Sequence, residues 1–139
     1  MTISRVINAP VGLVWEVWTT PSHIKHWYGP DGFTTTIITM DVVEGGEWEF
    51  ILHGPDGTDY PNKNIYKELI QHKKIVFNHV VGPKFQTTIT FDAQDYNTLV
   101  IVSMLFESKE QKEITINEYK ADVGLRQNID RLENYLTSL

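Results

Sequence analysis

A chain of 139 residues, 41% hydrophobic and 22% charged, is long enough for one domain with its own core, and we assign residues 1–139 to a single domain. It has no cysteine, which excludes disulfide bonds, thiol catalysis and thiolate metal sites. The net charge of −6 argues against a nucleic-acid partner, because binding to phosphates requires a basic surface. No stretch reaches the roughly 20 apolar residues that span a bilayer, so we expect no stable membrane association.

The first part of the chain carries the signals of one strand and two short helices. Residues 3–8 alternate as in a strand and lack the apolar run of a signal peptide. We expect a cytoplasmic protein, which is consistent with the absence of cysteine. Pro10 begins a helix whose apolar residues recur at helical spacing up to Trp18. Pro21 begins a second helix, which ends at the glycine-rich turn 29–32.

The middle of the chain is a series of strands separated by turns. The predicted strands span residues 33–40, 48–52, 64–70, 74–81, 85–91 and 98–106. Turn residues stand between them, as in Glu44-Gly45-Gly46 and Gly54-Pro55-Asp56-Gly57. Short strands at this spacing are typical of an antiparallel meander.

The last part of the chain changes to a helical period. Apolar residues form one broad stripe from about Glu113 to Leu136, which predicts a single helix of roughly 24 residues and about 36 Å. Such a helix must bury its stripe across the face of a strongly curved sheet. The sequence therefore predicts an α+β fold, in which an antiparallel sheet of about six to seven strands wraps around a long C-terminal helix, with two short helices after the first strand.

A sheet bent around one helix leaves room at its open end, where ligand pockets commonly form. The four Trp, six Tyr and six Phe residues suit either a well-packed core or a lined cavity. The candidate ligand-binding residues are Trp18, Trp27, Trp48, Phe50, Tyr66, Phe77, His79, Phe85, Thr87, Ile89, Val102, Met104, Phe106, Val123 and Gln127. Leu52, Val100 and Tyr119 belong to the same inward-facing set. Ordinary core packing is the alternative for each of these residues.

His79 is the best single candidate for acid–base chemistry, because it alternates with apolar residues and has a near-neutral intrinsic pKa. A lone histidine in such a position is nevertheless more often a hydrogen-bonded core residue. Tyr66 and Glu68 are two residues apart on one predicted strand, so their side chains could point inward together. An exposed position at the edge of the strand is the simpler interpretation for Glu68. His23 and His26 lie one helical turn apart without a visible third ligand, so we predict no metal site. The sequence has no phosphate-binding loop, nucleophile elbow or dinucleotide fingerprint, and we predict no cofactor and no catalytic residue.

Short motifs along the whole chain occur in the order typical of one family. They are Ala9-Pro10 with Val14-Trp15 and Trp18, Pro21 with Ile24 and Trp27, Gly29-Pro30, Gly32-Phe33, Glu44-Gly45-Gly46, Gly54-Pro55-Asp56-Gly57, Gly124-Leu125, and Asp130-Arg131-Leu132 with Tyr135-Leu136. With these motifs the chain resembles the START-like (SRPBCC) superfamily, in the branch similar to the C-terminal domain of the heat-shock protein 90 ATPase activator. Many of these relatives carry Gly-Trp where this chain has Gly124-Leu125, so we expect a pocket of different size or shape.

The resemblance implies a helix-grip fold with a deep cavity for lipids, polyketides or other apolar molecules, but it does not imply one activity. Binding of a small hydrophobic molecule is the leading hypothesis, and an enzymatic role is the less favoured one. The alternatives are a protein-interaction module with a chaperone as partner, and a cyclase- or hydratase-type enzyme acting on an apolar substrate. A homodimer formed through an exposed edge strand is compatible with the sequence.

Overall fold

The computed structural model describes residues 1–139, with the exception of the Tyr119 side chain. The expected inward orientation of Tyr119 therefore lies outside the described residues. Over the described part of the chain there are seven strands and four helices. In chain order they are β1 (Thr2–Ile7), α1 (Val11–Thr19), α2 (Pro21–Trp27), β2 (Thr34–Met40), β3 (Glu47–His53), β4 (Asp59–Ile70), β5 (Lys74–His79), β6 (Phe85–Gln94), β7 (Asn97–Phe106), α3 (Lys109–Tyr119) and α4 (Ala121–Thr137).

The strands form one curved antiparallel sheet in the order β1-β7-β6-β5-β4-β3-β2. From β2 to β7 each strand pairs with the next one along the chain, which confirms the predicted meander. β1 joins the far side of the sheet by pairing with β7, so that Ile7 lies opposite Thr98. The predicted α+β fold, with two short helices after the first strand and a C-terminal helix against the sheet, is confirmed.

The C-terminal helix is shorter than predicted, because the helical segment is broken at Lys120. This residue is left-handed, with φ 54° and ψ 42°, and separates α3 from α4. Its N–H donates to the Ile116 carbonyl (3.0 Å) and its carbonyl accepts from Gly124 N–H (2.9 Å), so it ends one helix and begins the next. The prediction of one helix over residues 113–136 is therefore wrong. α4 has 17 residues and a length of about 26 Å.

The core lies at one end of the molecule, where α1, α2 and the second half of α4 cover the sheet. Ile24, Ile129 and Leu132 are among its fully buried side chains. Trp27 is 1% exposed, and its indole Nε1–H donates to the carbonyl of Val17 (3.1 Å), which ties α2 to α1. Beyond the core, α3 packs against β7. Among the described residues, no helix combines the length and apolarity needed to cross a bilayer.

Candidate functional site

A cavity of about 510 Å³ lies between the concave face of the sheet and the junction of α3 with α4. Alternate residues of a strand point to the same face, so the inward residues of β3 to β7 form one continuous wall. The apolar part of the lining includes Trp18, Tyr28, Pro30, Phe33, Phe50, Leu52, Phe77, Phe85, Val102, Met104, Leu125 and Ile129. A second depression, between α2 and the edge strand β2, is an open groove on the surface.

The structure divides the candidate residues into three groups. Those that line the cavity are Trp18, Phe50, Phe77, His79, Phe85, Thr87, Val102 and Met104. Those that are buried beside it, in the packed interior, are Trp27, Trp48, Tyr66, Ile89 and Phe106. Val123 and Gln127 fall outside the cavity wall, and Val123 is 41% exposed. The expected inward orientation of Val123 and Gln127 is wrong, because α4 begins anew after Lys120 and does not continue the helical phase of α3.

Gln127 holds the loop after α2 rather than facing the cavity. Its side-chain oxygen accepts from the N–H of Asp31 (3.1 Å), and Asn128 in the same way accepts from the N–H of Gly29 (3.0 Å). Arg131 donates from Nη1 to the carbonyls of Gly29 (2.9 Å) and Pro30 (2.8 Å). One face of α4 therefore fixes the loop that forms the mouth of the cavity.

Sequence reasoning missed the lining residues of the loop after α2 and of the β5–β6 turn, which are Tyr28, Gly29, Pro30, Phe33, Val81, Gly82 and Pro83. It also missed lining residues from two places where the predicted element bounds were wrong. Tyr60, Pro61 and Asn62 were not recognised because β4 begins at Asp59, earlier than the predicted start, and these residues pair with the end of β3. The helix break supplies the second set, which comprises Thr115, Glu118, Lys120, Ala121, Gly124, Leu125 and Asn128. The one sequence signal for this region was Gly124-Leu125, which stands where many relatives carry Gly-Trp.

His79 is a hydrogen-bonded residue of the cavity wall and is 8% exposed. Its Nδ1–H donates to the carbonyl of Pro83 (2.6 Å), and its Nε2 lies 2.7 Å from Oδ1 of Asn62. The ring stacks on Phe85, with ring centroids 4.5 Å apart. Burial lowers the pKa of His79, while the Pro83 carbonyl opposes that shift. Nδ2 of Asn62 donates to the carbonyl of Tyr60 (2.8 Å), which keeps the amide oxygen facing the His79 ring. Two acceptors favour a doubly protonated ring, but the loss of hydration is the larger effect on the pKa of His79.

A bulge in β4 separates Tyr66 from Glu68. The register with β5 shifts between these two residues, so Tyr66 pairs with Phe77 but Glu68 pairs with Val76. Tyr66 is buried on the concave face, whereas the Glu68 carboxylate is half-exposed and lies 3.4 Å from Nζ of Lys74. The parity that would have brought both side chains inward is lost at the bulge. His79, Tyr66 and Glu68 therefore do not converge on one point of the cavity.

Two tyrosines with raised pKa values, Tyr28 in the cavity wall and Tyr66 beside it, remain neutral. Burial raises the pKa of Tyr28 well above its usual range. Burial also raises the pKa of Tyr66, and the proximity of Tyr28 adds to this shift. Their phenol groups can act as hydrogen-bond donors or acceptors, but they carry no charge near neutral pH.

The histidines outside the cavity have structural partners. Nδ1 of His23 lies 2.6 Å from the hydroxyl of Tyr135, and His26 stacks on the same ring with centroids 5.8 Å apart. His53 lies 2.7 Å from Asp59 through Nδ1 and 2.7 Å from Thr36 through Nε2. Within the part of the chain that the structure describes, no three His, Cys, Asp or Glu residues are placed to hold one metal ion.

Comparison with known proteins places the whole chain in one family. No functionally curated protein matches it. Among solved structures, it is similar to a protein from Arthrobacter aurescens, with 22% identity over 99% of this chain and 86% of the other and a TM-score of 0.93. It is also similar to a protein from Nitrosomonas europaea (21% identity, 99% and 94% covered, TM-score 0.87) and to an AHSA1-like protein from Aeromonas hydrophila (20% identity, 99% and 93% covered, TM-score 0.77). At these identities the likeness establishes the fold.

The family model described as activator of Hsp90 ATPase homolog 1-like protein matches residues 8–137, which is nearly the entire chain. The match and the helix-grip architecture agree with each other, and the chain belongs to the activator of Hsp90 ATPase homolog 1-like family of the START-like superfamily.

Proposed function

We propose that this protein binds a small hydrophobic molecule, such as a lipid, a polyketide or an aromatic metabolite, in the cavity between the sheet and α4. The observation that carries the proposal is a volume of about 510 Å³ with mainly aromatic and aliphatic walls. Ligand pockets typically have roughly 300–1,000 Å³ and an apolar lining with a few polar groups. Removal of apolar surface from water contributes about 25 cal/mol per Å², so a guest of the right size gains affinity without a specific polar contact.

An enzymatic role has less support from the same residues. General acid–base catalysis requires titratable groups within hydrogen-bond reach of one reacting point. The bulge in β4 places Glu68 with Lys74 on the face of the sheet opposite Tyr66. Both ring nitrogens of His79 already have partners in Pro83 and Asn62. A chaperone as partner is an alternative that the family description suggests, with no further support from the geometry of the cavity.

A titration with the uncharged apolar dye N-phenyl-1-naphthylamine, followed by calorimetry, tests the proposal. Two neighbouring residues of β7 provide matched variants, since Met104 lines the cavity and Leu105 is 69% exposed on the outer face. We expect Met104→Trp to fill part of the cavity and weaken binding at least about tenfold, or about 1.4 kcal/mol. Leu105→Trp adds the same ring outside and should leave the affinity within about twofold.

Two results would count against the proposal. One is the absence of saturable binding by the wild-type protein at dye concentrations up to its solubility. The other is an equal effect of Met104→Trp and Leu105→Trp, which would place the dye on the surface. Circular dichroism and thermal unfolding of both variants establish that they are folded before the affinities are compared.

A further inference from the structure

Four buried polar atoms of residues at or beside the cavity have no hydrogen-bond partner within the chain. Among the described residues, they are Nε1 of Trp18, Nε1 of Trp48, Oδ1 of Asn64 and Oη of Tyr66. These residues are 4%, 1%, 1% and 2% exposed, respectively. More than about nine in ten buried polar groups in proteins are hydrogen-bonded. A concentration of exceptions at one place indicates that something absent from the chain itself completes it.

Three of these residues are neighbours on β3 and β4, and Trp18 is linked to them through the ring of Tyr28. Trp48 and Asn64 are directly opposite each other in the register of β3 and β4, and Tyr66 follows two residues later on the same face. The rings of Trp48 and Tyr66 stack with centroids 6.2 Å apart. Tyr28 connects the fourth member, because its ring lies 4.8 Å from that of Trp48 and 6.3 Å from that of Trp18. We call Trp18, Trp48, Asn64 and Tyr66 the polar cluster.

The polar cluster reaches the cavity through Trp18 and Asn64, which both belong to its lining. Rotation about the last torsion of an asparagine side chain is soft, so the Asn64 amide can turn towards a guest. The cluster offers two indole N–H donors, one amide oxygen acceptor and a phenol that does either. A guest with a hydroxyl group in the cavity can therefore donate to the Asn64 amide oxygen once the amide has turned.

The charge distribution selects an uncharged head group. The polar cluster contains no cationic side chain, and burial keeps Tyr66 un-ionised. The charged residues of the lining are Asp59, Glu118 and Lys120, and all three are exposed. A carboxylate placed at the cluster would lose its hydration without gaining a counter-charge, which is unfavourable in an apolar surrounding.

We infer that the ligand is a neutral, hydroxyl-bearing aromatic compound whose hydroxyl group donates to Asn64 Oδ1 in the polar cluster, while its ring system packs against the aromatic wall. This inference rests on the proposed function and adds to it the chemical class of the ligand and the residue that selects it. Asn64 is a positioning and selectivity residue, since the apolar walls provide the bulk of the binding.

The test compares three ligands of one ring system, namely 2-naphthol, 2-methylnaphthalene and 2-naphthoate, by calorimetry at pH 7. The wild-type protein should bind 2-naphthol about tenfold more tightly than 2-methylnaphthalene, because a methyl group has nearly the size of a hydroxyl group but cannot donate. 2-Naphthoate should bind at least about tenfold more weakly than 2-naphthol. This comparison does not depend on any variant.

Asn64→Leu removes the acceptor at nearly constant size and should reduce the preference for 2-naphthol to less than about twofold. Asn78 provides the matched control, since it lies on the neighbouring strand β5 between the inward-facing Phe77 and His79. Asn78→Leu should retain the tenfold preference. Thermal unfolding of both variants verifies the fold, and Asn64→Thr serves as a second variant without the amide.

The outcomes separate the inference from the proposed function. If the three ligands bind with equal affinity, or if Asn64→Leu keeps the preference, the inference fails while the proposed function stands; this is the result expected when ordered water satisfies the polar cluster. If 2-naphthoate binds most tightly of the three, the inference that the ligand is uncharged is wrong. If none of the ligands binds to the wild-type protein, both the proposed function and the inference fail.

Discussion

The pair Leu125 and Leu132 tests whether the cavity exists. Both residues lie on α4, seven positions apart and therefore on nearly the same face, so replacement by alanine changes helix propensity equally at the two sites. Leu132 is 0% exposed and belongs to the core, whereas Leu125 is half-buried and lines the cavity. The same chemical change should therefore have two different costs.

The expected costs follow from what surrounds each side chain. A leucine-to-alanine change removes three carbons, worth about 2.4 kcal/mol at about 0.8 kcal/mol per buried carbon. At Leu132, a new void of about 60 Å³ adds roughly 1.4 kcal/mol at about 24 cal/mol per Å³, for a total of about 4 kcal/mol. At Leu125 the space joins a cavity that is already present, and only part of the side chain is buried, so we expect about 1–1.5 kcal/mol.

Urea unfolding followed by circular dichroism measures both values. For a chain of 139 residues, the difference of about 2.5 kcal/mol corresponds to a difference in Tm of roughly 8–10 °C. Ligand titration adds a second readout, because Leu125→Ala should change the affinity for an apolar dye and Leu132→Ala should leave it nearly unchanged. Equal destabilisation by the two variants would mean that Leu125 is as tightly packed as Leu132, and the reasoning about the cavity would be refuted.

Further predictions concern other parts of the fold. Because burial lowers the pKa of His79 below 6.5 in the fold, the free energy of unfolding should fall as the pH drops through 6.5 and level off once the pH passes the folded-state pKa. His79→Gln should flatten this dependence in urea unfolding measured at several pH values. Gly124→Ala should raise the free energy of unfolding by up to about 1 kcal/mol, because alanine favours the helix and its Cβ would lie 3.8 Å from Pro30, an ordinary contact. Gly46→Ala should lower the free energy of unfolding by about 2 kcal/mol or more, because its Cβ would lie 2.1 Å from the Asp41 carbonyl oxygen. Arg5 lies 2.5 Å from both Asp130 and Glu133, and Arg5→Met should cost about 1 kcal/mol, with a smaller loss at high salt in the same assay.

The strand alternation was the most informative part of the sequence, because a period of two identifies a face without knowledge of the neighbours. It correctly placed Phe50, Phe77 and Met104 on the concave face. The alternation could not distinguish a cavity wall from a packed core, because residues of both kinds lie on the concave face and are equally apolar in the sequence. Trp48 and Phe50 illustrate this limit, as they alternate on one strand, yet Phe50 lines the cavity and Trp48 is buried beside it.

Strand alternation also gives the wrong face for residues that follow a β-bulge, where one strand has an extra residue. The bulge between Tyr66 and Glu68 reverses the face of every later residue of β4, so that Leu69, and not Glu68, pairs with the buried Ile75. Nothing in the segment Tyr66-Lys67-Glu68 has the glycine that often marks such a bulge. The interior thereby avoids a buried carboxylate, which would require a partner or a raised pKa.

The break at Lys120 also escapes the hydrophobic pattern, and it has a greater consequence for the site. No glycine or proline stands there, so an unbroken helical period was the natural interpretation. A non-glycine residue in the left-handed region costs about 1–2 kcal/mol, which the fold sustains only because contacts on both sides determine it. If α3 and α4 formed one continuous helix, the chain would not change direction at Lys120. The lining residues Lys120, Ala121 and Gly124 would then not lie across the open end of the sheet. The unfavourable backbone at Lys120 is therefore coupled to the presence of the cavity, and the room for a ligand follows from a local conformation that the hydrophobic pattern does not record.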